Sequence, residues 1–211
     1  MVSDYGLNFK VDNDIADCFT LLICYAPLSG KTTAIFMKRF DSICFNDLFD
    51  RIEAADTASN TPMLVPLIVL ELEARIAADV TSDSDSKVRE LNMATGEMLK
   101  PDSNLRNLDF FKPLTRNIHT LVKDILGKSS RRLQVLLEMV QVCRDYAKDL
   151  EPLATAANPR ISQSTVELFE RARKLTRDCI LLSHQVTFNK ATVELMNPMV
   201  RELRIASTQY R

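Results

Sequence analysis

The stretch "CFTLLICYAPLSGKTTAIF", Cys18 to Phe36, places Gly30, Lys31 and Thr32 directly after an apolar run. Gly-Lys-Thr behind a buried strand is how a phosphate-binding loop ends, so nucleotide chemistry is the first function to weigh. Such a loop also needs a glycine five residues before the one that precedes lysine, because its backbone N–H groups must wrap the phosphates closely. Tyr25 stands at that position. The loop must then open a helix whose N-terminus faces the anion, whereas "TTAIFMKRF" reads as a strand. No later apolar strand ends in an aspartate that would hold magnesium. These residues therefore predict a tight turn with an exposed Lys31, and nucleotide binding through Gly30, Lys31 and Thr32 stands as the third of three functional readings.

Other reactive side chains are scattered. Cys18, Cys24, Cys44, Cys143 and Cys179 contain no Cys-x-x-Cys pair. A metal site on Cys18 and Cys24 would need two further ligands, while His119 and His184 lie far along the chain on separate helical segments. The cysteines read as small buried hydrophobes. Glu71 and Glu73, like Asp83 and Asp85, are i,i+2 pairs that point to different faces of a helix. The acidic patch reads as solvated. Arg171, Arg173, Lys174, Arg177, Lys190, Arg201 and Arg204 alternate with Glu167, Glu170, Asp178, Glu194 and Glu202, which suits a charged helix face in water. No catalytic residue, no cofactor-binding residue and no metal ligand is assigned from these patterns.

The composition agrees. A net charge of −1, from 27 basic and 28 acidic residues, gives no global field for nucleic acid. An odd cysteine count without a basic-apolar leader predicts a reduced, cytoplasmic protein. "PMLVPLIVLELEARIAADV" meets Glu71 and Glu73 too early to cross a bilayer, which takes roughly 20 apolar residues. Four glycines and no tryptophan argue against an all-β chain.

These residues need elements to position them. Residues 1–15 show no clear period and are expected to be a flexible arm. Phe19 to Tyr25 and Thr32 to Phe40 predict two strands of a hairpin. Phe45, Leu48, Phe49 and Ile52 share one helical face behind a Ser42 cap. Thr61 is expected to cap, and Pro62 to begin, a helix carrying Leu64, Leu67, Ile68, Leu72 and Ile76. "TSDSDSK" reads either as a solvated helix face or as a short loop, and "ATGEMLKPDSN" as a break. Phe110, Phe111, Leu114, Ile118, Leu121, Val122 and Ile125 form a helical stripe that Gly127 is expected to terminate. Leu133, Leu136, Leu137, Val140, Cys143 and Tyr146 form the next, before "EPLATAANPR". From Ser162 to Tyr210 the helical period is unbroken for about 70 Å, with Leu168, Leu175, Ile180, Leu182, Val186 and Val193 as its stripe and Pro198 as a candidate kink. The fold class is α+β, mostly α: a small N-terminal hairpin or sheet packed on long antiparallel helices. The boundaries are 1–15 for the arm, 16–158 for an α/β then helical domain, and 159–211 for a long helix packed on it.

The order "FTLLICYAPLSGKTTAIFMKRFDSICFNDLFDRI", then "TPMLVPLIVLELEARIAADV", then "KVRELNMATGEM" resembles the soluble portion of the fungal CorA-like proteins, divergent relatives of the CorA magnesium transporters. The resemblance covers residues 18–207 and rests on apolar and turn residues rather than on a catalytic signature. It implies a cytosolic domain whose last helix is a stalk, assembly into a homo-oligomer through that helix, and magnesium as a regulatory ion bound by carboxylates between subunits. It maps no sensing carboxylate onto this chain. The sequence has neither the two C-terminal spans nor the Gly-Met-Asn motif of that family, so no pore is present before Arg211. Two expectations follow from this. The first is a non-enzymatic assembly and cation-sensing domain, at the cytoplasmic face of a membrane if spans follow Arg211. The second is a free-standing cytoplasmic interaction module that binds a partner helix.

Overall fold

The computed structural model describes residues 5–11, 19–26, 31–38, 45–55, 61–98, 111–157 and 160–209. Among the described residues strands come first: β1 (Tyr5–Val11), β2 (Phe19–Ala26) and β3 (Lys31–Lys38) form one antiparallel sheet in the order β1-β2-β3. Helices follow: α1 (Phe45–Ala54), α2 (Leu64–Met98), α3 (Phe111–Thr120) and, after a π-helical segment Leu121–Leu126, α4 (Gly127–Ala157), then α5 (Arg160–Gln209). The fold is α+β and mostly α. The chain forms two compact units. The first is Met1–Ile76 with Gln134–Ile180, and the second is Ala77–Leu133 with Leu181–Arg211. Each therefore joins segments distant in sequence rather than following boundaries at 15 and 158.

In the first unit the central strand buries one face of the sheet, while the other carries the exposed Ile35 and Met37. Pairing puts Leu7 opposite Ile23, Phe9 opposite Leu21, and Leu21 opposite Phe36, so alternate residues of all three strands share the face of Leu21 and Ile23. Leu21, Ile23 and Tyr25 on the central strand are at most 2% exposed. The arm expected at residues 1–15 is corrected here: Tyr5, Leu7, Phe9 and Val11 alternate with Gly6, Asn8 and Lys10, and this period of two makes a strand. The hairpin of β2 and β3 forms as expected, in the register Ala26 opposite Lys31.

The start of α2 is surrounded. Leu67, Ile68, Val69 and Leu70 are consecutive and each at most 2% exposed, which covers the whole helix circumference. Each such side chain contributes about 1.5–3 kcal/mol by leaving water. Thr61 does not cap through its hydroxyl, which makes no hydrogen bond; its carbonyl instead accepts from the Leu64 N–H at 3.2 Å. On α1, Leu48 is buried but Phe49 is 57% exposed, so the expected face is narrower than its apolar residues. Ser42 lies outside the described residues. Cys143 and Leu168 join Leu136, Val140 and Leu175 in the buried set of α4 and α5.

In the second unit the helices keep a seven-residue repeat. On α2 the buried residues are Ala77, Thr81, Ser84, Val88, Leu91 and Thr95, spaced alternately four and three apart as in a helix seam. The "TSDSDSK" segment is thus helical, and its Thr81 and Ser84 hydroxyls donate back to the carbonyls of Ala77 and Val80. The expected break at "ATGEMLKPDSN" begins later than Ala94, because α2 runs to Met98. On α3 the seam is Phe111, Leu114, Ile118 and Leu121, and it resumes at Leu126, Ser129 and Leu133.

The step from Leu121 to Leu126 has one residue too many for the repeat. One extra residue turns a helix face by about 100°, which would lift the following leucines out of the core. The wider π turn absorbs it, with the Gly127 N–H donating to the carbonyl of Val122. Gly127 is accordingly not a terminus: its φ of −64° and ψ of −37° are helical and the chain continues into α4. A mid-helix glycine costs about 1 kcal/mol against alanine, less than the buried leucines on either side contribute.

Candidate functional site

Gly30 lies outside the described residues, and Lys31 and Thr32 open β3. A strand therefore occupies the place where a phosphate loop needs its helix, and Lys31 is exposed. Cys24 is exposed on the outer sheet face, while Cys143 and Cys179 are buried. Burial pushes the Cys143 thiol up to about 12. It pushes Cys179 up to about 11, with a smaller contribution from Asp178. Both are protonated and inert at neutral pH. Cys18 and Cys44 lie outside the described residues. His119 and His184 are exposed on α3 and α5.

One member of each acidic pair, Glu71 and Asp85, bridges two helices. In the first unit Arg171 donates from Nε to Glu71 Oε1 at 3.0 Å and from Nη2 to Glu71 Oε2 at 2.8 Å, a two-pronged bridge between α5 and α2. Glu73 faces the interior at 3% exposure. In the second unit Asp83 pairs with Lys87 and Asp85 with Arg89 one helical turn on. Asp85 also accepts from Gln185 of α5 at 3.0 Å. Both cross-helix pairs are 100 residues apart in sequence. Among the described residues no group of three or more His, Cys, Asp and Glu side chains converges on a point that could hold a metal ion. Among them, too, no helix is long and apolar enough to cross a membrane.

The residues with the clearest unused capacity are on α5. Its buried seam in the second unit is Val186, Asn189, Val193, Met196 and Val200. Asn189 is fully buried, accepting from Gln185 Nε2 at 3.1 Å while its own Nδ2 has no partner. A second stripe lies on the other side: Leu181 is 60%, Phe188 66% and Leu195 70% exposed. Their spacing of seven keeps them on one face. Ala191, between them, is exposed as well. The stripe expected from the sequence contains none of Leu181, Phe188 and Leu195; of its members Ile180 is 41% exposed while Val186 and Val193 are buried. What could have separated the two faces is the repeat itself: Leu181, Phe188 and Leu195 recur at seven, out of step with Val186 and Val193.

The basic residues of α5 divide too. Arg171 is held by Glu71, and Arg173 pairs with Glu170. Lys190, which reaches Glu194 at 4.0 Å, and Arg204 stand along a groove opposite α3. The tetrad Lys112, Arg116, His119 and Lys123 on that opposite wall is a feature the sequence reading did not single out.

No family model matches this chain, and no curated protein is significantly similar to it in sequence.

Proposed function

We propose that this chain is a non-enzymatic assembly domain that joins copies of itself through α5. The carrying observation is the second apolar stripe of α5, Leu181, Phe188 and Leu195, each more than half exposed. Large side chains repeated at seven along a helix whose opposite face is already buried are what a helix–helix interface requires. In this reading α5 is a stalk, and copies align their stalks in parallel with Phe188 and Leu195 at the centre. The order of sheet, buried helix start and long last helix supports the CorA-like reading, in which such a domain sits at the cytoplasmic face of a membrane.

In the same reading magnesium is held by carboxylates from two copies, and assembly through α5 does not depend on it. Light scattering of the purified chain, in magnesium and again in chelator, tests both parts. A mass of several copies that changes with magnesium supports assembly and sensing. A constant mass of several copies supports assembly alone. A single-copy mass at all concentrations overturns the reading in favour of a free-standing interaction module, for which the same stripe would receive a foreign helix.

A further inference from the structure

We propose that the groove between α3 with its π segment and α5, in the second unit, binds a phosphate-bearing ligand. This goes beyond assembly, and it uses a different face of α5 from Leu181, Phe188 and Leu195.

The two helices run antiparallel along the groove. Lys112, Thr115 and Arg116 lie with Arg204 at one end, and Val122 and Lys123 lie with Lys190 and Asn197 at the other, while His119 lines both. Lys112, Arg116, His119 and Lys123 are spaced four, three and four apart, so one face of the helix presents all of them over roughly 16 Å. The depression has a volume of about 490 Å³ at the Lys190 end and about 510 Å³ at the Arg204 end. That suits a compact ligand carrying several anionic groups.

The charge is one-sided. Lys112, Arg116, Lys123, Lys190 and Arg204 line the groove against one carboxylate among its described lining residues, Glu194. Glu194 reaches Lys190 at 4.0 Å, the outer edge of an ion pair. Among the described residues no ion pair engages Lys112, Arg116 or Lys123. In a chain of net charge −1, such a concentration raises the local potential and selects anions. Thr115, Thr120 and Asn197 supply neutral donors beside the cations, which is the donor mixture that phosphate oxygens accept from. No phenylalanine, tyrosine or tryptophan is among the described lining residues, so the bases of a nucleic acid find none of the larger stacking platforms there.

Phosphate of this kind reaches a protein as a free polyphosphorylated molecule or as a lipid headgroup. The test is calorimetric titration of the full chain with tripolyphosphate and with inositol hexakisphosphate, beside co-sedimentation with phosphatidylcholine vesicles that contain or lack a phosphoinositide. Salt-sensitive binding of the soluble ligands is expected to fall about tenfold or more in the pair Arg116→Glu with Lys123→Glu. It should be unchanged in the control pair Lys174→Glu with Arg177→Glu, a matched reversal of exposed charge in the first unit. The milder pair Arg116→Gln with Lys123→Gln, with melting curves of every variant, separates lost binding from lost folding. Binding of soluble ligands assigns the groove to a free polyphosphate, and binding confined to phosphoinositide vesicles assigns it to a headgroup. No binding in either arm, equal loss in both charge-reversal pairs, or preference for a single-stranded oligonucleotide that polyphosphate fails to displace would overturn the proposal.

Discussion

The two units reach a buried interior by different means. In the first, large apolar side chains dominate the buried positions, with Thr61 and Glu73 as the buried polar exceptions: Leu21, Ile23, Leu67, Ile68, Leu70 and Val140 are each at most 2% exposed. In the second, comparable seam positions include Thr81, Ser84, Thr95, Ser129 and Asn189. Hydroxyls there satisfy themselves on the carbonyl four residues back, as Thr81, Thr95 and Ser129 do. Such a seam gains less from burial per residue. The second unit also carries the inserted residue at the π segment, the exposed α5 stripe and the basic groove. The exposed α5 stripe and the basic groove thus belong to the unit whose apolar seam is interrupted by more hydroxyl and amide groups.

Shifting the seam should have the largest effect. Deleting Gln141, exposed on α4 in the first unit, rotates Cys143 and Ala147 off the core and is expected to cost about 4 kcal/mol or more. Deleting Asp124 within the π segment restores the regular repeat and should cost within about 1 kcal/mol. Urea unfolding of both deletions decides the matter, and equal losses would remove the account of the π turn. Leu70→Ala is expected to cost about 2–5 kcal/mol, measured in the same way; a loss under about 1 kcal/mol would make the first unit no firmer than the second.

Asn189→Leu should act in the opposite direction. It removes an amide whose Nδ2 is buried without a partner, while Gln185 keeps Asp85 as its acceptor. A gain of about 1–2 kcal/mol is expected in thermal melts, and a loss would mean that the amide is better satisfied than its geometry indicates. Arg171→Ala breaks a bridge that is partly in water, with side chains 38% and 25% exposed. It should cost about 1 kcal/mol, read out by double-mutant cycle with Glu71→Ala. Smallest of all, Lys31→Ala should change stability by less than about 0.5 kcal/mol, and calorimetry of either form should detect no heat with magnesium-ATP. A strong Lys31→Ala defect would return the nucleotide reading.

Much of the fold was legible because long helices advertise their period. The buried start of α2, the stripes of α3 and α4, and the extent of α5 all follow from apolar spacing. β1 was equally legible in Tyr5, Leu7, Phe9 and Val11, but one short alternating run carries little weight until a partner strand supplies its hydrogen bonds. Gly127 misleads for a physical reason: glycine ends helices by local preference, and here the leucines on both sides outweigh it. The π turn is invisible to composition and emerges when the seam is counted across Leu121 and Leu126. The second face of α5 was passed over because apolar residues occur on more than one side of that helix, and burial separates them. The basic groove needed tertiary structure, since Lys123 and Lys190 are brought together by antiparallel packing.

Assembly through α5 is tested most directly by Leu195→Cys. In stalks aligned in parallel and in register, the same residue of two copies meets across the seam, within the distance a disulfide spans. Mild oxidation should then give a disulfide-linked pair located by peptide mapping at position 195, with no such species from Lys174→Cys on the charged face. Failure of Leu195→Cys to cross-link at the concentrations used for light scattering of the parent chain, or linkage no greater than at Lys174→Cys, would contradict assembly through this face.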